Sequence, residues 1–437
     1  MAGPQSVRIR SYQVGFGDCY LLSFIYKTVE RHVLIDFGST GKPQSPVELA
    51  GTLKNLMQRT ADHIAATCNG KLDAVVATHR HKDHISGFDT DSGPGATIRE
   101  LNPKVVIQPW TEHPDAEVDA ESAPTISSDD LAFASNLRRM DAVAESAMRF
   151  AAAMRRRPAL RTSHGEERID ELGFLGETNL RNKSAVDNLM SMGSERRYLS
   201  YGQDAGLRFS GVKVRVLGPP TLAQFQAIRK QRDEDENEFW MLRTVEQQHL
   251  TAADERILFG EFELNGHDPS TVWLRERLQR ASLDQRLALV RRMDATLNNT
   301  SVILLFEVGP YKLLFPGDAQ IENWEWALKE APDKDDNLAL LSDVIVYKCG
   351  HHGSRNATPK TLWNNFARRN VDPAPDRLKV FVSTAEGKHG HKENNSEVPR
   401  RTLVEAFKQQ ADFFSTETVD PNAESSFVEQ TLELPDS

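Results

Sequence analysis

Two strand-rich blocks at opposite ends of the chain enclose a long segment of helical character. The first block holds short apolar or alternating runs such as VRIRSYQV, CYLLSFIY and KLDAVVATH, separated by glycine-containing turns. The second block begins near Asn298 and holds NTSVILLFEV, YKLLFPGD, DVIVYKCGHH and LKVFVSTA. Such runs are typical of β-strands, whereas the intervening LAFASNLRRMDAVAESAMRF is typical of helices. The order predicts one α/β domain built from both ends of the chain.

The domain boundaries follow these changes of character. Residues 1–110 are predicted to form the first half of the α/β fold, and residues 298–437 the second half with a C-terminal tail. Residues 111–297 are predicted to be a mostly helical insertion that returns briefly to the core at 208–220. A chain of 437 residues is long for one compact domain, and an insertion of this size explains the excess.

Composition excludes several classes of protein. With 39% hydrophobic and 27% charged residues, the chain can bury a core and is not mostly disordered. No apolar run approaches the roughly 18 residues that a membrane span needs. The first ten residues, MAGPQSVRIR, lack the apolar stretch of a signal peptide, and three widely spaced cysteines form no disulfide framework. We therefore expect a soluble, cytoplasmic protein.

The net charge of −10 argues against a basic surface that covers the whole protein and binds nucleic acid. An acidic protein can nevertheless act on nucleic acid where bound metal cations supply positive charge at the site. The net charge therefore makes a nucleic-acid substrate less favoured but does not exclude it.

Seven of the 13 histidines fall in three short clusters. The clusters are His79, His81 and His84; His351 and His352; and His389 and His391. The first lies in THRHKDHISGF, directly after a strand-like run, so His79 and His81 are predicted to point to the same side. Asp83 and His84 follow on a tight loop. Three imidazoles and one carboxylate within six positions are a donor set that zinc and similar divalent metals prefer.

The segment THRHKDHISG resembles the metal-binding signature of the metallo-β-lactamase superfamily. LIDFG, LLFPGDAQ and YKCGHHGSRNATP resemble three further motifs, in the family's order. Within the superfamily the chain is similar to the metallo-β-lactamase domain of ComEC-type DNA-uptake proteins and their stand-alone relatives, through VGFGDCYLL, VRVLGPP, NNTSVILLF and GKHGHKENNSEVP. The resemblance covers the two strand-rich blocks, somewhat over half of the chain. It implies an αββα sandwich that carries a large helical insertion.

The resemblance also implies two divalent metal ions, with zinc favoured and manganese the alternative. The implied ligands are His79 and His81 for one metal, Asp83 and His84 for the other, Asp318 between them, and His352. His352 is favoured over His351 because the family's late histidine is usually followed by x-Ser. Many members supply one more histidine to the first metal. Here His113, His249 and His267 are candidates by position only.

The resemblance implies catalytic roles for three residues, Asp83, His391 and His351, and a supporting role for Asp36. Asp83 would orient the attacking water and accept its proton, and Asp36 at the end of LIDFG would support the site from outside. His391 matches the family's late Gly-His and is assigned to the scissile phosphate or the leaving oxygen. His351 would face the substrate or support a ligand.

The resemblance implies a metal-dependent phosphodiesterase or nuclease that acts on nucleic acid or a nucleotide. Stand-alone nucleases of this type often work beside other proteins, so the resemblance also makes the catalytic component of a DNA-processing or antiphage-defence system one expected setting. Two alternatives stay open. One is hydrolysis of a small ester, lactone or β-lactam, because the same metal pair activates water for acyl transfer. The other is a degenerate scaffold that presents the insertion to a partner protein, against which the intact Asp83, His84 and Asp318 argue. The arginines of the insertion offer either a path for a polyanion or a docking surface for a partner.

Overall fold

The computed structural model describes residues 3–91, 93–113, 144–156, 163–179, 182–225, 227, 283–284, 286–288, 290–291, 294–354, 356, 358–385, 387 and 397–435. Within these ranges the strands form two sheets with helices against them, so the predicted α/β class is confirmed.

The first sheet has seven strands in the order β13-β1-β2-β3-β4-β5-β6. These are β1 Ser6–Tyr12, β2 Cys19–Ile25, β3 Glu30–Phe37, β4 Ala74–Val76, β5 Val105–Pro109, β6 Glu195–Leu199 and β13 Phe427–Glu433. Pairing is antiparallel from β13 to β3 and parallel from β3 to β6. The two ends of the chain therefore meet in one sheet, where β13 lies against β1.

The second sheet has six strands in the order β12-β11-β10-β9-β8-β7. These are β7 Val212–Gly218, β8 Ile303–Val308, β9 Tyr311–Phe315, β10 Val344–Lys348, β11 Lys379–Val382 and β12 Asp412–Ser415. Pairing is antiparallel from β7 to β9 and parallel from β9 to β12. Both sheets therefore carry a parallel half.

The helices lie between the strands in sequence. They are α1 Leu53–Thr67, α2 Lys82–Ile85, α3 Pro94–Glu100, α4 Ser163–Asn179, α5 Lys183–Ser191, α6 Ile321–Glu325, α7 Lys334–Ser342, α8 Lys360–Asn365 and α9 Arg401–Gln410; residues 144–155 and 294–298 are also helical. The start of α1 shows how local sequence sets such bounds. Thr52 accepts a hydrogen bond from the backbone N–H of Asn55, and the Asn55 side chain accepts one from the Thr52 backbone. This capping box satisfies N–H groups that have no partner within the helix.

The two sheets share one apolar core. The Tyr20 ring of the first sheet lies 5.7 Å from that of Phe315 in the second, and Phe24 lies 6.0 Å from Phe306. Separate buried clusters join the opposite face of each sheet to its helices, α1, α3 and α5 on one side and α8 and α9 on the other. Burying both faces explains why the central strands are continuous apolar runs rather than alternating ones.

The segment between the two strand-rich blocks joins both sheets where it is described. Its predicted return to the core corresponds to β7, and β6 adds a further strand at the edge of the first sheet. The long stretches 144–155 and 163–179 are helical, and their apolar faces form a small core together with residues near 283–290. Much of the predicted insertion, including 114–143 and 228–282, lies outside the described residues, so its boundaries stay a prediction. No helix among the described residues has the length and apolarity to cross a membrane.

Candidate metal centre

The site lies where parallel strands of both sheets end. His79 follows β4, Asp318 follows β9 and His351 follows β10, each within three residues of the strand's last residue. Ligand sites in open α/β sheets form at this carboxyl edge, because loops from neighbouring strands converge there. The face-to-face packing of the sheets brings the two edges together.

The first pair is His79 and His81. Nε2 of His79 lies 3.0 Å from Nδ1 of His81. The outer nitrogen of His79, Nδ1, is 3.2 Å from the Thr78 hydroxyl, and that hydroxyl donates to Asp36 at 2.7 Å. The outer nitrogen of His81, Nε2, is 3.2 Å from Oδ1 of Asn179.

The second group is His84 with two carboxylates. Nδ1 of His84 lies 2.8 Å from Oδ2 of Asp36, and Nε2 lies 3.0 Å from Oδ2 of Asp318. Asp36 also accepts the Thr78 backbone N–H at 2.7 Å. Asp36 thus joins the end of β3 to Thr78 and to His84 of α2, and together with Asp18 and His84 it forms a further group of donor atoms within 4.8 Å of one another.

The third group joins His352 to Asp83. Nε2 of His352 lies 3.0 Å from Oδ2 of Asp83 and 3.9 Å from Oδ2 of Asp318. Its Nδ1 lies 2.8 Å from the backbone carbonyl of Ser383, which can only accept. Among the described residues, His79–His84–Asp318 and Asp83–His84–His352 each place one donor atom per residue within 4.8 Å of the others.

The hydrogen bonds fit these residues to a cation. Each of the four histidines turns its outer nitrogen toward an oxygen acceptor, so in the neutral ring the proton lies there and the lone pair is on the inner nitrogen. The inner nitrogens then face one another or a carboxylate oxygen at 3.0 Å. Lone pairs that converge at this distance repel unless a metal ion or a proton lies between them. The donor set, imidazole nitrogens with carboxylate oxygens, is one that zinc accepts.

A buried lysine completes the surroundings of Asp318. Lys348 Nζ lies 3.1 Å from Oδ1 of Asp318 and 2.5 Å from Oδ2 of Asp18. The His351 backbone N–H also donates to Oδ1 of Asp318, at 2.8 Å. Donors therefore hold Oδ1 of Asp318, while Oδ2 faces His84 and His352.

Burial and neighbouring charge move the pKa values of the site histidines in opposite directions. Burial lowers the pKa of His81 to about 4 and that of His79 well below its usual range. Burial would also lower the pKa of His84, but the Asp318 and Asp36 carboxylates outweigh it and raise that pKa well above normal. Burial would raise the pKa of Asp83, which the hydrogen bond with His352 instead holds far below its usual range. Neighbouring positive charge likewise holds the pKa of Asp318 well below its usual range against burial, so Asp83 and Asp318 stay ionised and attract cations.

A small cavity of about 20 Å³ opens onto the centre. Its lining residues are Phe16, His81, Asp83, Phe174, Leu175, Thr178, Asp294, Asp318, His351 and Val398. Within the described part of the chain, Asp83 Oδ1 and His351 Nδ1 are buried polar atoms that have no hydrogen-bond partner. Buried polar atoms are rarely left unpaired, so these two are free for water or substrate.

The structure brings together all six metal ligands that the sequence predicts, with His351 at the cavity. His391, His389, His249 and His267 lie outside the described residues, so the role of His391 stays a prediction. His113 follows β5, and its ring packs against Tyr198 at 4.9 Å rather than joining a donor group. Sequence reasoning missed three site residues: Asn179, Asp294 and Lys348. Only Lys348 carries a sequence signal, a charge inside the apolar run DVIVYKCG.

Comparison with known proteins adds no family to this geometry. No protein-family model matches the chain, and no curated protein matches it.

Proposed function

We propose that the chain is a metal-dependent hydrolase of the metallo-β-lactamase type, acting on phosphodiesters of nucleic acid or nucleotides. The observation that carries the proposal is the convergence of four histidine side chains, each fixed by an outer hydrogen bond, with the carboxylates of Asp83 and Asp318. A protein without a bound cation gains nothing from this arrangement, because the groups repel one another or trap protons. This argues against a degenerate scaffold.

The fold is compatible with the proposal. Two sheets pack over one core with helices on their other faces, as the αββα sandwich implied by the sequence requires. The four motifs that resemble the superfamily all end at the same edge of this core. The phosphodiester substrate is inferred from the resemblance of CGHHGS and GKHGH to the DNA-uptake relatives.

The site residues would have two roles, binding the metal ions and orienting the attacking water. His79 and His81 would hold one divalent ion, Asp83, His84 and His352 the other, and Asp318 Oδ2 would lie between them. Such ions acidify water and offset the negative charge of a phosphoryl group. Asp83 Oδ1, which is unpaired among the described residues, is placed to orient the attacking water and accept its proton.

His351 and His391 would handle the substrate. Nδ1 of His351 is buried at the cavity and has no described partner, so it can donate to a phosphoryl oxygen or receive a proton. We expect His391→Ala to keep both metals but to lose on the order of a hundredfold in rate, the usual worth of a positioned donor. Parental turnover by this variant would remove His391 from the substrate site.

The test is turnover of metal-loaded protein. We expect hydrolysis of bis-p-nitrophenyl phosphate and of at least one of single-stranded DNA, duplex DNA, RNA or a cyclic dinucleotide, and no hydrolysis of nitrocefin. His84→Ala should abolish activity and metal binding, whereas His63→Ala, a histidine on α1 bonded to Tyr12, should change neither. Turnover of nitrocefin alone would favour the ester or β-lactam alternative. Failure to bind metal would reject the proposal.

A further inference from the structure

We propose that Asn179, the last residue of α4, is a positioning residue that fixes the ring of His81 for the first metal position. The inference rests on the proposed function, since the role exists only if a cation binds between His79 and His81. It also assigns a task to the segment between the two strand-rich blocks, because α4 belongs to that segment.

The orientation of the Asn179 amide follows from its partners. Nδ2 donates to the backbone carbonyl of Leu175 at 2.8 Å and to Oδ1 of Asp294 at 3.1 Å. Both partners are pure acceptors, so the nitrogen must be the atom that faces them. The remaining atom, Oδ1, therefore faces His81.

This orientation decides which nitrogen of His81 carries the proton. Asn179 Oδ1 is an acceptor and lies 3.2 Å from Nε2 of His81, so the proton lies on Nε2. The lone pair is then on Nδ1, which lies 3.0 Å from Nε2 of His79. An apolar side chain at position 179 would leave the ring free to turn and to protonate on the wrong nitrogen.

Asp294 anchors this arrangement from the far end of the same segment. Its Oδ2 accepts from Nδ2 of Asn298 at 3.2 Å, and its Oδ1 accepts from Asn179. Oδ1 lies 3.7 Å from Nε2 of His81, beyond hydrogen-bond distance. The carboxylate therefore acts on His81 through Asn179, in a chain Asp294–Asn179–His81.

The experiment measures metal binding rather than turnover. Metal-free protein is titrated with Co²⁺, with the visible absorption band and competition by a chelator reporting the two positions separately. We expect Asn179→Leu to weaken the first position 10- to 100-fold, the usual effect of losing an outer hydrogen-bond partner, and to leave the second unchanged. Asn188→Leu is the matched control. It removes another buried amide, on α5, whose Nδ2 donates to the backbone carbonyls of Phe88 and Gly95 and whose Oδ1 accepts from Arg99, none of them at the metal centre.

A second variant keeps the proposal falsifiable if Asn179→Leu does not fold. Asn179→Ala removes the amide without adding bulk, and alanine is well tolerated in a helix. We expect the same 10- to 100-fold loss at the first position and no change at the second. Parental first-position affinity in either folded variant would overturn the role of Asn179. Parent protein that binds fewer than two metals would instead contradict the proposed function.

Discussion

At the scale of single residues, Lys348 supplies the buried positive charge that offsets the carboxylates of the centre when no metal is bound. Its ammonium is almost fully buried and pairs with Asp18 and Asp318. Removing one member of a buried ion pair leaves an uncompensated charge, which typically costs about 3–5 kcal/mol. We expect Lys348→Met to lower the free energy of unfolding of chelator-treated protein by this amount, measured by urea denaturation.

The control for Lys348 is an exposed lysine, Lys104, whose partner Asp73 also pairs with Arg31. Lys104 lies 2.9 Å from Asp73 with 64% of its side chain exposed, so Lys104→Met should cost below about 1 kcal/mol. Equal losses of unfolding free energy in the two variants would show that the buried ion pair stabilises the protein no more than the exposed lysine does.

Proton release should accompany metal binding. Carboxylates raise the pKa of His84 and of His352 against the effect of burial, so each ring binds a second proton more readily than a free imidazole when no metal is bound. A metal needs the neutral ring and must displace that proton, so its apparent affinity should rise as the pH rises through neutrality. Titration calorimetry in two buffers of different ionisation enthalpy measures the release. Heats that do not depend on the buffer would contradict it.

At the scale of structural elements, α2 carries Asp83 and His84 because glycines let two loops approach it. A Cβ on Gly38 would lie 2.5 Å from the backbone of both residues, and Gly17 is similarly close to the Asp83 carbonyl. We expect Gly38→Ala to displace α2, to weaken the second metal position at least tenfold and to lower the melting temperature.

Gly3→Ala is the control for this prediction, because a Cβ there meets only an ordinary contact at 3.6 Å. Differential scanning fluorimetry and the Co²⁺ titration compare the two variants. Full affinity in Gly38→Ala would mean that α2 can shift without moving its ligands.

At the scale of the whole molecule, the metals should link the two sheets, since His84 follows the first sheet and Asp318 the second. A ligand that binds only the folded state stabilises it by about 2.7 kcal/mol at a hundredfold excess over Kd. We expect added Zn²⁺ to raise the melting temperature and to slow amide exchange at the ends of both β4 and β9. His84→Ala should abolish the effect, and protection confined to one sheet would contradict the link.

The sequence predicted what depends on short-range patterns. Apolar runs located the strands, and closely spaced ligands such as His79 and His84 revealed the centre. Sequence patterns did not identify Asn179 and Asp294 as site residues, because an amide or a carboxylate at a helix end is typical of capping or surface positions. Their role comes from packing between segments 98 residues or more apart, as in the contact of His81 with Asn179, which no local period encodes.

Three residues of the metal centre adopt a left-handed backbone conformation, which lowers thermal stability but is required to place their side chains. His351 and His352 have φ of 43° and 51°, and Asp36 has φ of 55°. Side chains with a Cβ pay about 1–2 kcal/mol for this conformation, which glycine adopts freely. His351→Gly should therefore unfold at a higher temperature than the parent while turning over more slowly. Directed evolution for thermostability alone should therefore select inactive variants. Glycine is the least strained residue at these turns, but it has no side chain to bind a metal or a substrate.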